Sequence, residues 1–538
     1  MLRWIIVALL VCSLLVFSAR SETNFERGSY REAVPILRQK IQEFAQQNDR
    51  VNQGIALVNL AIAYRNLGEW DLAETNAEQS LNLLSGQQLA HALDTRAKLH
   101  LERGTPQLAY DRWTQAATIW QQLNDQENYY RSQSDRSLAL QNLGFYPRAC
   151  DLLWETLELP NKCAYTPDIL EILSTKQNSR SGLQLIANLG RVLQVLGELK
   201  GSEAVLNLGI SRAQNLGNPP ELSKLWLNLG NTKRSLGKDN YLSALEAYDR
   251  SGIVEGKVNQ ISLLIQLTDL EKAKNLWEQT YKLLENSGIN NRLNFVQSGI
   301  QLASKYPQIK SKIDRLISAI REEIKVLRHP RLIEYALLSE ANFAEVNQEF
   351  TKAKKINLTA LQRNPSADIA YLLFAQKARI EQQLGDNMAA IADYTKAVES
   401  LTRIRKDLVN LNSDVQYNFR GGVEPIYREL VSLLLQNDRP TQSQLQQARQ
   451  VIDSLQLAEL DNFFRDACAD VTPTNIDQID PRAAVFYPIV LQDRLELIVA
   501  IPQQLLFHTR VAIPRQILRQ TIEDIRNSLR LTAFPEER

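Results

Sequence analysis

Asn66-Leu67-Gly68-Glu69-Trp70, with Ala73 five residues beyond the glycine, is the stretch that decides the fold of this chain. The phrase returns, degraded, around Gly104, Gly144, Gly197, Gly237 and Gly385. From Gly68 to Gly104, Gly104 to Gly144 and Gly197 to Gly237 the intervals are 36, 40 and 40 residues. Self-similarity at that period means stacked helical hairpins. Ahead of Gly68, Leu57, Leu60, Ala61 and Tyr64 recur at helical spacing and make one apolar face. Gly68 supplies the left-handed residue that ends a helix without steric penalty. A second helix starts near Trp70-Asp71, with Leu72-Ala73, Ala77, Ser80-Leu81 and Leu84 as its face. Ala61 and Ala73 are small, so the two backbones can approach closely. Helices of about 12 residues are marginal alone in water, and each hairpin must therefore bury its face on a neighbour.

These marks resemble the tetratricopeptide repeat: a bulky residue, Leu-Gly, an aromatic, then Gly-Asp/Glu-aromatic and a small residue. Trp226, Leu229 and Gly230, then Leu236-Gly237, Tyr241, Ala244 and Tyr248, make another copy. A third runs through Phe374, Ala378, Leu384-Gly385-Asp386, Ala390, Tyr394 and Ala397. Weaker copies span Leu99 to Trp113, Leu140 to Leu157 and Leu189 to Leu206. Phe350, Ala353, Ala360 and Asn364-Pro365 form one without the turn glycine, and Asn24 to Leu37 reads as the second half of a first hairpin. Between about 255 and 330 the helical spacing persists while the marks fade. The resemblance covers residues 23–400 and implies a mostly α solenoid whose first helices line a concave, protein-binding groove. It places Val58, Ile62, Arg65 and Asn66 on that groove, a mixture suited to a protein or peptide ligand. Trp113, Trp120 and Trp154 fall on second helices and read as core.

The bulk numbers agree with such an array. A chain of 538 residues exceeds what one core serves. Lys plus Arg is 62 against 61 for Asp plus Glu, so no electrostatic footprint for nucleic acid exists. With 4 His and 4 Cys, His91, His100 and His329 stand isolated, and neither a metal site nor a cofactor is expected. No phosphate-loop, nucleophile-elbow, zincin or C-x-x-C pattern occurs.

Residues 1–22 read as a signal peptide or membrane anchor. Arg3 precedes the apolar run Ile5 to Phe17, shorter than the roughly 20 residues a spanning helix needs. Val16-Phe17-Ser18 is a poor cleavage site, so a membrane tether through residues 4–19 stays open beside export. Cys12 sits in too loose a context to argue lipid attachment. Cys150, Cys163 and Cys468 remain. An odd number does not indicate a disulfide framework, and Cys150 and Cys163 read as two buried thiols, although pairing across a helix end is open to them.

Past residue 400 the period stops. Residues 401–470 form a helical connector, with stripes over Val423 to Leu435 and Leu445 to Phe464 and breaks at Gly421-Gly422 and Asp438-Arg439-Pro440. Over 471–538 the spacing turns to 2. Ala483 to Leu491, Leu495 to Ile501 and Leu505 to Ile513 read as an antiparallel meander. Leu495, Leu497, Val499 and Ile501 take one side of its middle strand, and Glu496 interrupts the other. Pro488 marks an edge or a bulge. Pro514 opens a helix with Ile517-Leu518, Ile522, Ile525 and Leu529 on its expected inner face. Three strands and one helix offer little core, as if an α/β domain were begun and not completed.

The order of these elements, with Tyr487-Pro488, Asp493-Arg494-Leu495-Glu496-Leu497 and Pro502, resembles the opening of a CHAT domain, a caspase-like module often found after tetratricopeptide repeats. That likeness covers about 420–538 and implies a Cys-His peptidase whose two motifs do not occur in this sequence, so no catalytic residue is assigned. Cys468 and His508 stand in the reverse order and read as a packed thiol and a half-exposed imidazole. Two functions are left: repeats that bind a partner and regulate a caspase-like module, or a stand-alone adaptor whose terminal segment caps the solenoid.

Overall fold

The computed structural model describes residues 27–403, 422–464 and 483–533, apart from 162, 177, 285, 286, 328, 329, 366 and 502. The leader, Cys12, His329 and Cys468 lie outside them. The chain is mostly helical, a tetratricopeptide-like solenoid with a small three-stranded antiparallel sheet near the carboxy terminus. It divides into two compact units, up to Glu349 and from Phe350 on.

In the first unit α1 (Arg27–Gln46) precedes the hairpins α2 (Arg50–Leu67) with α3 (Trp70–Leu81) and α4 (Gly86–Glu102) with α5 (Pro106–Gln122). Next come α6 (Gln126–Asn142) with α7 (Tyr146–Thr156), then an extra helix, α8 (Asp168–Thr175). The series resumes with α9 (Arg180–Val195) and α10 (Leu199–Asn215), and α11 (Glu221–Ser235) and α12 (Tyr241–Ser251). It closes with α13 (Val254–Gln266) and α14 (Leu270–Tyr281), α15 (Ile289–Ala303) and α16 (Lys310–Leu327), and α17 (Pro330–Val346).

Each hairpin turn is a backbone device. At the end of α2, Gly68 takes φ 78° and its N–H reaches Arg65 O at 3.1 Å, while Glu69 N–H reaches Tyr64 O at 2.9 Å. Orphan carbonyls of the helix end are thereby satisfied. The same pair of bonds closes α4 at Gly104, α6 at Gly144 and α9 at Gly197. It also closes α13 at Thr268 and α17 at Gln348, both at φ 60°, which is why the hairpins persist where the glycine mark has faded. Between hairpins, asparagine takes the left-handed role at Asn48 and Asn124.

Packing follows the small residues. Ala61 and Ala73 are fully buried in one cluster with Tyr64, Ala77 and Leu99. A Cβ added at Gly190 would overlap the Leu206 side chain, so α9 and α10 meet at a distance only glycine allows. Trp113, Trp120 and Trp154 are buried on second helices, as expected, and Trp277 stacks on Phe295 with ring centroids 4.6 Å apart.

The cysteines correct the expectation of two thiols. Cys150 on α7 is bonded to Cys163, with Cα atoms 5.8 Å apart. Residues between α7 and α9 form an insertion folded onto the second helices, which brings Cys163 back over α7. Trp154 donates to Pro160 O at 2.8 Å. The buried Arg212 of α10 donates to Leu173 O and Lys176 O at the end of α8, a cation at a helix carboxy terminus. This insertion is what stretches the interval from Gly144 to Gly197.

The second unit continues with α18 (Phe350–Leu361), α19 (Ala367–Gln383) and α20 (Asn387–Arg403). There follow α21 (Glu424–Leu434), α22 (Gln442–Phe464), strands β1 (Val485–Val490), β2 (Leu495–Ala500) and β3 (Phe507–Val511), and α23 (Arg515–Ala533). The meander has the order β1-β2-β3, so Pro488 lies on an edge strand, and its register with β2 runs without a bulge. Tyr487, Ile489, Ile498 and Ala500 join one core with α19 to α22. Glu496 shares that packed side, and the more apolar row of Leu495, Leu497 and Val499 faces outward. The last helix departs from expectation. Ile517, Ile522 and Ile525 are 56%, 54% and 55% exposed rather than turned inward. The packed side of the sheet is already taken by α21 and α22.

Candidate functional site

First helices pack on first helices: α6 on α9, α9 on α11, α13 on α15 and α15 on α17. Their remaining sides make one continuous face. Aligning them on the turn residue exposes a pattern. Nine residues before each turn stand Asn59, Thr95, Asp135, Asn188, Asn228 and Asn259, and Ser339 continues the row on α17. Positions six and thirteen before the turn flank this row on the same helix face.

The row links neighbouring helices. Asn188 donates to Ser134 Oγ at 2.7 Å, and Asn228 donates to Ala187 O at 2.9 Å. Asn259 donates to Asn231 Oδ1 at 3.1 Å, which also accepts from Tyr248 at 2.9 Å. Farther along, Gln297 donates to Ser339 Oγ at 2.8 Å. One carboxylate interrupts these neutral groups. Burial pushes Asp135 up to about 6, although Lys98 and Arg131 oppose the shift. Asp135 nevertheless keeps partial exposure, and Glu255, which is exposed, is raised by the same cause. Asp135 is thus a poorly solvated carboxylate on the face that the first helices leave open.

The sequence placed Val58, Ile62, Arg65 and Asn66 on α2. Ile62 lies six residues before Gly68, beside Asn59, and Asn66 donates back to Ile62 O at 2.8 Å. Val58 is buried in a cluster with Leu84 and Ala92, and the Arg65 guanidinium lies 3.7 Å from Glu102, so both turn toward α4. Asn188, Asn228 and Asp135 were not singled out from sequence. Counting back from the turn residue is the signal that finds them.

A second polar constellation sits in the other unit. Glu496, fully buried, accepts from Arg494 at 2.6 Å and from Arg510 at 2.9 Å, and its second oxygen lies 2.7 Å from His508 Nε2. The His508 side chain is 7% exposed, so it is a packed residue and not a half-exposed one. Arg494 and Arg510 also donate to Ser432 O and Leu435 O, fastening β2 and β3 to α21. Glu424 repeats the device. Burial alone would raise it, but the bonded guanidiniums of Arg428 and Arg515 hold it below the usual carboxylate value. A buried anion with this many donors is a fastening rather than a reactive group.

Among the described residues no group of three or more His, Cys, Asp or Glu is arranged to hold a metal ion, and no helix is long and apolar enough to cross a membrane. No family model matches the chain, and no curated protein matches it. Among solved structures it is similar to BtubC (BKLC) from P. vanneervenii at 18% identity and a TM-score of 0.34, over 41% of this chain and 89% of that one. It is also similar to a Rap protein complexed with Competence and Sporulation Factor, at 12% identity and a TM-score of 0.37, over 74% and 96%. For a human IFIT1 dimer with PPP-AAAA the values are 15%, 0.43, 80% and 93%. These similarities say nothing of what this chain binds.

Proposed function

We propose that this protein is a binding scaffold whose groove holds a segment of a partner protein. The observation that carries the reading is the face left open along the first helices, lined by amides and by charged groups such as Lys224 and Asp135 that have no ion pair among the described residues. Of the four residues expected there, Ile62 and Asn66 would belong to its beginning on α2, while Val58 and Arg65 turn toward α4. A photo-crosslinking residue at Arg191 or Lys224, both exposed, tests the proposal in cells. Discrete adducts with a protein are expected there and not from Leu242, exposed on the second helix α12. Equal labelling from both faces, or none from the groove, would overturn it.

In the leading form of this reading, residues 420–538 open a CHAT-like module, which the repeats regulate. The order α21, α22, meander and α23 supports it, as do the outward apolar row of β2 and the open stripe of α23, which further elements of an α/β layer could cover. In the second form the segment caps the solenoid of a stand-alone adaptor. Reading the gene past Arg538 separates them: His and Cys motifs in frame favour the first, an immediate stop the second.

We also propose export or membrane tethering through residues 4–19. The bond between Cys150 and Cys163 supports this, since such bonds persist in oxidising compartments. Recovery of the native protein in the cytosol, with both thiols free, would remove that support.

A further inference from the structure

The groove's chemistry also bears on which segment it takes, granted the reading above that it holds one. On α2 the row residue Asn59 is flanked by Ile55 and Ile62, but from α4 to α13 one of the two flanking positions on each first helix is charged, the other being His91, Leu138, Gln184, Asn231 or Ser262. Lys98 and Arg191 stand six residues before their turns, and Arg131, Lys224 and Glu255 thirteen before theirs. Some of this charge is already used. Arg131 reaches Asp94 at 3.3 Å, and Arg191 bonds Tyr146 of α7. Among the described residues Lys98, Lys224, Asp135 and Glu255 have no ion pair. His91 of α4, which burial lowers, adds no charge at neutral pH.

We infer that the groove takes an acidic peptide segment, its carboxylates received by Lys98, Arg191 and Lys224 and its main chain laid along Asn188 and Asn228. Arg191 and Lys224 are exposed and Lys98 half-buried, so a carboxylate can reach each of them and form a charge-assisted hydrogen bond. Amides beside them suit a backbone that has both donors and acceptors. Asp135 is the opposing element. Ionised, it repels an arriving carboxylate; protonated, it donates a hydrogen bond to one. Burial pushes it up to about 6, so the groove gains net positive charge as pH falls through that value. Lys98, Arg131 and Lys224 act on it with one sign and Asp94 of α4 with the other, while Glu255 on α13 is raised by burial and adds to the same trend.

Fluorescence anisotropy of the full chain with three labelled probes tests this: a Glu-Ala repeat peptide, its Gln-Ala analogue and its Lys-Ala analogue. The Glu-Ala probe is expected to bind about tenfold or more tighter than the Gln-Ala probe at neutral pH, and tighter still near pH 5.5. Replacing Lys98→Glu and Lys224→Glu together should abolish that preference, with circular dichroism unchanged. Asp135→Asn should tighten the Glu-Ala probe at about pH 8 and flatten its pH dependence. Equal binding of the Glu-Ala and Gln-Ala probes, or preference for Lys-Ala, would overturn the acidic ligand and leave a peptide groove standing. Binding of none of the three would count against the groove reading itself.

Discussion

Thr268 stands where Gly68 stands: each is the left-handed residue between the two helices of its hairpin, at φ 60° and 78°, and each closes the turn with the same two backbone bonds. The device is made by N–H and C=O groups, so side-chain identity sets only its energy. A β-branched residue is poorly suited to that conformation. Thr268→Gly should therefore stabilise the α13–α14 hairpin by about 0.5–1 kcal/mol, and Gly68→Ala should destabilise α2–α3 by about 1 kcal/mol. Hydrogen exchange at each turn, with thermal midpoints, measures both. A destabilised Thr268→Gly would mean that the threonine side chain contributes more than its backbone strain.

The insertion between α7 and α9 is held twice, by Cys150–Cys163 and by Arg212 on the end of α8. A cross-link spanning 13 residues should contribute about 2–3 kcal/mol. Cys163→Ser is expected to lower the denaturant midpoint, and added reductant should lower the wild type to the same value without affecting the variant. Identical wild-type midpoints with and without reductant would contradict the bond. Because Arg212 still caps α8, protection of residues 168–176 from exchange should survive reduction and be lost in Arg212→Met.

Much of the fold was legible in advance because glycines and alanines mark positions where geometry leaves few choices, as at Gly68, Ala61 and Ala73. Thr268 and Gln348 were invisible for the converse reason: the turn tolerates them at a modest energy. The groove row was hidden because Thr95, Asp135, Asn188 and Ser339 share polarity and not identity, and they align only once each turn is fixed. The Cys150–Cys163 bond depends on the path of an insertion that carries no periodicity. Hydropathy also misplaced α23. Its stripe predicts burial, but a stripe does not say whether a partner surface is within reach.

Glu496 shows the same limit on the sheet, where a charge occupies the packed side of β2 because Arg494, His508 and Arg510 come to it through register. Arg494 lies just before β2, whereas His508 and Arg510 lie on β3, and only the pairing of Ile498 with His508 and Glu496 with Arg510 brings those two to the carboxylate. Glu496→Gln removes the charge and leaves two guanidiniums facing each other, so it should destabilise the second unit by about 3–5 kcal/mol. Glu496→Gln with Arg510→Met should recover part of that loss. Urea unfolding followed by exchange at β2 and β3 measures both. If the single variant is nearly neutral, the arginines find solvent and the cluster is no fastening.

Asp135 makes the stability of the first unit depend on pH with a definite sign. Its folded value, about 6, lies above the ordinary aspartate value of 3.8, so the folded state holds the proton more tightly than the unfolded chain. The stabilisation this confers is fully present below about pH 4 and is lost as pH rises through about 6. At about pH 8 the carboxylate is ionised at a site that solvates it poorly, and Asp135→Asn should be more stable than the wild type by about 1–2 kcal/mol, a discount on the full shift because the site keeps some exposure. Near pH 4 the two proteins should converge. Denaturant midpoints taken across that range, with the carboxyl resonance of Asp135 followed by carbon-detected NMR, give two independent readouts. A resonance that titrates near 4, or an Asn variant weaker than the wild type at pH 8, would mean that Lys98 and Arg131 dominate over desolvation.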